Sequence, residues 1–281
     1  LKEQTFQAHH LPMLPEHAVG NKGMGRLFFL PGSDGRARRI SERFSQTQIL
    51  HSDRQLNVYL GTLTNKGKRI EVGAVSTGMG CASLDIVVTE LILIGVRLFI
   101  RVGTAGSLQP DTVRTGHLVL ATGGVRNEGS SERYIPKCYP AISDPDMLNA
   151  MQRAATQLGL ADHTYKGIVH SKDSLYGMEF DYSPMREANH AYIRQLQEMG
   201  VLATEMESSH LFILSHIHSS GITPISQTNN NQIKSGTILA IIGDHSPFSS
   251  ATDDIQRAEQ DAIDLATQTA YQFFYPRKIN T

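Results

Sequence analysis

Four places in this sequence set charged or glycine-rich segments at the ends of apolar runs, where a pure core would not choose them. Residues 26–30 lead into Pro31-Gly32-Ser33-Asp34-Gly35-Arg36, and the run 98–102 carries Arg101 and continues into Gly103-Thr104-Ala105-Gly106. The run that starts at Val201 ends in Glu205-Met206-Glu207, and the run 237–243 ends in Asp244. In α/β sheets, ligands gather beyond the carboxyl ends of strands. The first two groups suit an oxyanion, because glycines let backbone N–H groups approach a phosphate and guanidinium forks bind its oxygens in pairs. Glu-Met-Glu suits a sugar: a carboxylate accepts hydrogen bonds from two vicinal hydroxyls while a thioether packs on the ring. An Asp partly desolvated at a strand mouth has a raised pKa and can share a proton with a leaving group. Phosphate, sugar and leaving-group acid together are what phosphorolysis of a nucleoside requires.

These groups need a scaffold that brings strand ends together. Apolar periodicity predicts strands at 26–32, 98–103, 117–124, 165–171, 201–207 and 237–244, and a hairpin of 56–63 with 69–78 about the turn Asn65-Lys66-Gly67. Helical spacing predicts helices at 83–95, closed by Gly95, and at 190–200, 208–221 and 253–274. Another runs to Leu158 and is opened by Asp144 as cap with Pro145 behind it. Alternating strands and helices with an early hairpin indicate one α/β domain over residues 1–281, built on a mixed central sheet flanked by helices. The Asn-rich stretch 225–236 breaks the composition and reads as a polar surface insertion.

Composition narrows the function classes. The chain has 281 residues, 26 Lys+Arg against 27 Asp+Glu and a net charge of −1, which gives no overall attraction to nucleic acid or anionic lipid. Arg36, Arg38 and Arg39 form a basic trio, but without the interleaved aromatics of a nucleic-acid surface. Cys81 and Cys138 lack metal-ligand spacing, and His216 and His218 point to different helix faces, so no metal is expected. No apolar run approaches a bilayer span and no signal peptide is visible, so a cytoplasmic protein is expected.

PGSDGR, STGMG, RVGTAGSLQP, VRNEGSS, YPAISD and ATEMES occur in an order that resembles the nucleoside phosphorylase-I family, in its uridine phosphorylase and hexameric purine nucleoside phosphorylase branch. The resemblance covers the chain from His10 to the last helix and implies a sheet partly closed into a barrel. It implies that Gly32, Arg36, Arg101 and Thr104 bind phosphate, and that Arg54 reaches the phosphate site of a neighbouring subunit. It likewise implies a ribose site of Glu205, Met206 and Glu207, with Glu207 the partner of the 2′- and 3′-hydroxyls, and His10 (or the adjacent His9) donated by the neighbour. Tyr176 would wall the base pocket. A dimer is then the minimum active unit and a hexamer the usual assembly. Phosphate enters as co-substrate, and no cofactor is implied; Gln55 stands where some relatives carry a cation-site glutamate.

On substrate, Glu179 and Asp181 stand where the uridine enzymes carry a Gln and an Arg, and would face the carbonyls of uracil with acceptors. Asp244 resembles the catalytic Asp of the purine enzymes, with Arg257 at the spacing of its assisting Arg. The expectation is therefore a purine nucleoside phosphorylase, with a uridine phosphorylase as the alternative and a non-catalytic nucleoside-binding homologue as a second. Arg36, Arg54 and Arg101 together favour phosphate over water as the nucleophile. Capping of the helix near Ser208 is the competing role for Glu205.

Overall fold

The computed structural model describes residues 6–219, 232–246 and 248–276. Its strands are β1 (Leu27–Pro31), β2 (Ser45–Leu50), β3 (Val58–Asn65), β4 (Lys68–Val75), β5 (Leu98–Ser107), β6 (Leu118–Asn127), β7 (Ala141–Ile142), β8 (Thr164–Lys172), β9 (Ala203–Glu205) and β10 (Lys234–Gly243). The helices are α1 (Asp34–Ser41), α2 (Cys81–Ile94), α3 (Pro145–Leu158), α4 (Leu175–Glu179), α5 (Arg186–Glu198), α6 (Ser208–Ser219) and α7 (Thr252–Phe274). Among the described residues no helix is long and apolar enough to cross a membrane.

All ten strands belong to one mixed sheet in the order β10-β6-β8-β9-β5-β1-β4-β3-β2, with β7 added to β6. Strand β10 also pairs in parallel with β5, so β5, β9, β8, β6 and β10 close into a five-stranded barrel that continues as an open wing through β1 to β2. Bulges at Ile241/Gly243 of β10 and at Ala121/Gly123 of β6 supply the bending that closure needs.

Period-2 alternation in β1 and β5 divides the interior in two. Leu27, Phe29, Leu98, Ile100 and Val102 pack beneath α1, α3 and α7, whereas Phe28, Leu30 and Phe99 pack against α2 and α6. Each fully buried side chain of this size contributes roughly 1.5–3 kcal/mol. Arg101 falls on the Phe99 side of β5, opposite Leu30 of β1 and Thr237 of β10, so the apolar register carries a guanidinium inward at the carboxyl end of the sheet.

Four segments differ from the pattern reading. The PGSDGR segment does not stay a loop but turns into α1, since Ser33 accepts the N–H of Arg36 at 3.3 Å as an N-cap. Strand β2 carries no apolar alternation, being exposed along its length and held by its backbone ladder to β3. Lys234, Ser235 and Gly236, assigned to the polar insertion, begin β10, with Ser235 and Gly236 opposite Phe99 and Ile100. The remainder of the insertion up to residue 231 lies outside the described residues. The short helix α4 follows from Ser174, whose hydroxyl accepts the N–H of Gly177 at 3.1 Å.

Candidate active site

At the carboxyl end of β5 lies a cavity of about 220 Å³ whose walls include Gly32, Arg36, Arg101, Thr104, Lys172, Glu179, Glu205, Met206 and Glu207. Strand ends and following loops separated by as many as 216 positions, from Gly32 to Phe248, converge here, because each belongs to or follows a strand of the same sheet.

Arg101 is its floor. Nε donates to Glu205 Oε2 at 3.2 Å and Nη2 donates to Glu207 Oε2, while Nη1 is buried with no partner among the described residues. Room for the guanidinium comes from Gly103, where a Cβ would stand 2.9 Å from Arg101 Nη2 and 2.9 Å from Leu239 Cδ2. Arg36, on the first turn of α1, donates from Nη2 to Glu259 Oε1 of α7 at 2.6 Å and from Nη1 to the Val102 carbonyl at 3.4 Å. Arg39 reaches the other oxygen of Glu259 at 2.7 Å, so two of the three basic residues of this segment are tied to one carboxylate. Arg36 is thus a held helix residue at the cavity wall rather than a free loop charge. Gly32 and Thr104 complete this end.

The two glutamates of Glu205-Met206-Glu207 have different employment, and here the expectation for Glu205 is corrected. Its carboxylate accepts the Ser171 hydroxyl, the backbone N–H groups of Ser208 (3.0 Å) and Glu207 (2.9 Å), and Arg101 Nε. It caps α6 and has no free direction for a sugar hydroxyl. Burial works to raise its pKa, but Arg101 and these donors outweigh it and hold the group below the usual range. Glu207 accepts the N–H of Gly80 at 2.5 Å, at a residue whose φ of +86° turns the N-terminus of α2 toward the cavity. Burial raises the pKa of Glu207 and the neighbouring Glu205 adds to it; Arg101 offsets only part. Met206 lies between them, and its carbonyl accepts Cys81 Sγ at 3.1 Å.

Beyond Glu205-Met206-Glu207, Glu179, Gly106 and Thr204 are shared with a second hollow of about 190 Å³ that Asp244 and His245 also line. In the wall of the first lies a group that the pattern reading missed: Lys172, the last residue of β8, is 1% exposed and forms an ion pair with Glu179 Oε1. Its Nζ also donates to Thr204 Oγ1 at 3.0 Å. That hydroxyl is 3.0 Å from His170 Nδ1, whose Nε2 is 3.1 Å from Asn127 Oδ1. Burial, aided by Lys172, pushes His170 down to about 3. The neutral ring therefore donates from Nε2 to Asn127 and accepts from Thr204 at Nδ1, which leaves the Thr204 lone pairs to Lys172. A sequence signal existed: His170-Ser171-Lys172 is a further polar end on an apolar strand, like the four groups first singled out.

Three base-site expectations are corrected. Tyr176 is 61% exposed and packs on Phe180 and Tyr182 with ring centroids 5.2 and 5.9 Å away, so the apolar wall comes instead from Leu175, Ile242 and Phe248. Asp181, at a φ of +61°, turns to His190 Nε2 at 2.6 Å and does not line the cavity at Arg101. Asp244 was expected with a raised pKa. Burial does push upward, but the backbone N–H groups of Thr115 (3.1 Å) and His245 (2.7 Å) dominate and lower it, leaving an acceptor without a proton to give. Arg257 pairs with Asp254 at 2.7 Å and is 62% exposed; among the described contacts it makes none with Asp244, although its Nη2 approaches Gly116, next to Thr115.

His10 and Arg54 line a separate concavity of about 300 Å³ that shares no residue with the cavity at Arg101. Glu90 fixes it. This buried carboxylate inside apolar α2 accepts the N–H groups of His9, His10 and Leu11 at 3.0–3.1 Å and His10 Nδ1 at 2.7 Å. The guanidinium of Arg54 is exposed and has no partner among the described residues.

The family profile described as phosphorylase superfamily matches residues 26–269. The chain is 33% identical over 260 residues to a uridine phosphorylase of Treponema pallidum, covering 90% of this chain and 92% of that one. It is 28% identical over 257 residues to a guanosine phosphorylase of Halorubrum lacusprofundi, covering 90% and 98%. A crystal structure of uridine phosphorylase from Vibrio fischeri superposes with a TM-score of 0.72 at 25% identity, over 95% of this chain and all of that one.

Proposed function

The chain belongs to the phosphorylase superfamily, and on that premise we propose that it catalyses reversible phosphorolysis of a nucleoside, with uridine as the substrate of choice. The observation that carries the reading is Arg101: a guanidinium 3% exposed, held by two carboxylates, with Nη1 left for an anion at the floor of the cavity. Gly32, Arg36 and Thr104 line the same cavity, as do Met206 and Glu207.

In the proposed reaction, phosphate bound at this end attacks the anomeric carbon while the bond to the base stretches. The bonding pair leaves with the base, and positive charge grows on the ribose. Glu207 accepts hydrogen bonds from the ribose hydroxyls, and the phosphate dianion both attacks and stabilises that charge. No covalent enzyme intermediate and no cofactor is needed. His10 and Arg54 act on the cavity of an adjoining subunit, so the working unit is at least a dimer, with a hexamer expected. Their separate concavity and the unpartnered Arg54 guanidinium support this.

The purine preference expected from Glu179 and Asp181 is set aside. Three of the uridine phosphorylases to which the chain is similar are 33–35% identical, against 28% for the guanosine enzyme. The objection to uracil also fails locally, because Lys172 places a donor beside Glu179 and Asp181 is engaged by His190. The test is release of uracil and ribose 1-phosphate from uridine with and without inorganic phosphate. Release that needs phosphate is the expected result; equal release in its absence makes the protein a hydrolase, and no release from any nucleoside makes it a binding homologue.

A further inference from the structure

We propose that the buried Lys172–Glu179 ion pair is the element that reads the base, selecting bases that present an acceptor on the sugar side followed by a ring N–H. This rests on the reading of the cavity as a nucleoside site and names the substrate class that site takes.

The argument begins with position. Lys172 lines only the cavity that holds the phosphate and ribose residues, whereas Glu179 lines both that cavity and the hollow ending at Asp244. A base extending from ribose toward Asp244 therefore meets the ammonium first and the carboxylate second. Glu179 is not used up in neutralising the lysine. Lys172 takes Oε1, while Oε2 faces Gly106, where a Cβ would stand 3.5 Å from it, and has no hydrogen bond among the described residues. Lys172 in turn donates one N–H to Thr204 and meets Glu179 as an ion pair, with Oε1 accepting no hydrogen bond among the described residues, which leaves N–H groups of the ammonium for a ligand. The His170–Thr204 relay fixes the direction of that lysine, because the Thr204 proton is committed to His170 Nδ1.

The order donor, then acceptor, discriminates. Uracil presents O2 and then N3–H outward from its glycosidic nitrogen, matching Lys172 and Glu179. Cytosine presents O2 and then a bare N3, which sets a lone pair against the carboxylate. Guanine presents N3 and then its amino and N1–H groups, which a carboxylate accepts in pairs. Adenine presents a bare N1 and mismatches as cytosine does. One pair of side chains thereby accommodates both uracil and guanine and rejects both cytosine and adenine. A site built to pair with an N–H rejects the analogue lacking it strongly, since the buried group is left without a partner.

Two readouts on the full-length protein separate this from the proposed reaction. Calorimetric binding of free uracil, cytosine, guanine and adenine in phosphate buffer reads the pair; phosphate-dependent cleavage of uridine reads the reaction. Wild type is expected to bind uracil and guanine about 10²-fold or more tighter than cytosine and adenine. In Glu179→Gln the amide offers either a donor or an acceptor, and the gap is expected to shrink at least about tenfold. If the lone lysine unfolds that variant, the double variant Lys172→Met/Glu179→Gln removes both charges and must lose the discrimination. No gap in wild type, or the same gap in wild type and variants, overturns the assignment even if uridine is cleaved. A gap that depends on Glu179 without uridine cleavage upholds it and removes the reaction instead.

Discussion

Glu207 is a residue whose surroundings oppose its charge. A carboxyl with a raised folded pKa favours folding only below its unfolded value, and that contribution is lost as pH climbs through the raised one; at neutral pH the ionised group is a net cost. Glu207→Gln is therefore expected to keep or raise Tm at pH 7 while lowering uridine turnover roughly 10²-fold, measured by melting and steady-state kinetics on the same preparation. The opposite holds for Asp244, whose oxygens are occupied by backbone donors and whose lowered pKa removes it as an acid. Asp244→Asn is expected to reduce uridine turnover by less than about tenfold; a loss of 10²–10⁴ would restore it as a proton donor. Residue types alone singled out Arg101, Glu207 and Gly32, which line one cavity, because an arginine, a carboxylate or a glycine breaks an apolar strand pattern visibly. They did not reveal that Glu205 is consumed by the cap of α6, nor that Arg36 is held by Glu259, 223 positions away. Such commitments depend on which elements pack together.

Among elements, β5 supplies more of the cavity wall than any other, since Arg101, Thr104, Ala105 and Gly106 all lie on it. Gly103 is the position where that strand tolerates no side chain. Gly103→Ala would press a methyl against both Arg101 and Leu239, at an expected cost of about 1–3 kcal/mol and at least a tenfold loss in kcat/KM for phosphate. Denaturant melts and phosphate titrations would measure the two. Elements with an amphipathic stripe were legible in sequence: α3 begins at Pro145 with Asp144 as its cap, accepting the N–H of Met147 at 2.9 Å, and stops before Gly159. Strand β2 was not, because Ser45-Gln46-Thr47-Gln48 buries nothing and is held by its ladder to β3. The barrel closure itself was expected only from the resemblance, for no local pattern states that β10 pairs with both β5 and β6.

At the scale of the whole molecule, acid stability and assembly follow. His170 stands at about 3 in the fold against 6.5 when unfolded, so the unfolded chain takes up a proton that the fold refuses between those values. Stability is full above 6.5 and is expected to fall toward pH 3, by on the order of 4 kcal/mol from this group. His170→Gln should make the fall in Tm between pH 6.5 and 5 shallower, while His117, His216 and His218, whose pKa values burial also lowers, keep part of it. For the assembly, co-refolding an Arg54→Ala chain with an Arg101→Gln chain is expected to recover activity that neither has alone, because one neighbour supplies an intact cavity and the other an intact Arg54. Activity confined to wild-type chains would place Arg54 outside the site. The division of labour between β5 and α4 also bears on how such a protein changes over generations. Arg101 and Thr104, the proposed phosphate residues on β5, ride on a strand bonded to β1, β9 and β10, where a substitution disturbs several partners at once. Glu179, however, closes a five-residue helix outside the barrel. On the proposed reading, a lineage can thus vary the Glu179 half of its base contact by mutating one short peripheral segment while Arg101 and Thr104 on β5 are inherited unaltered.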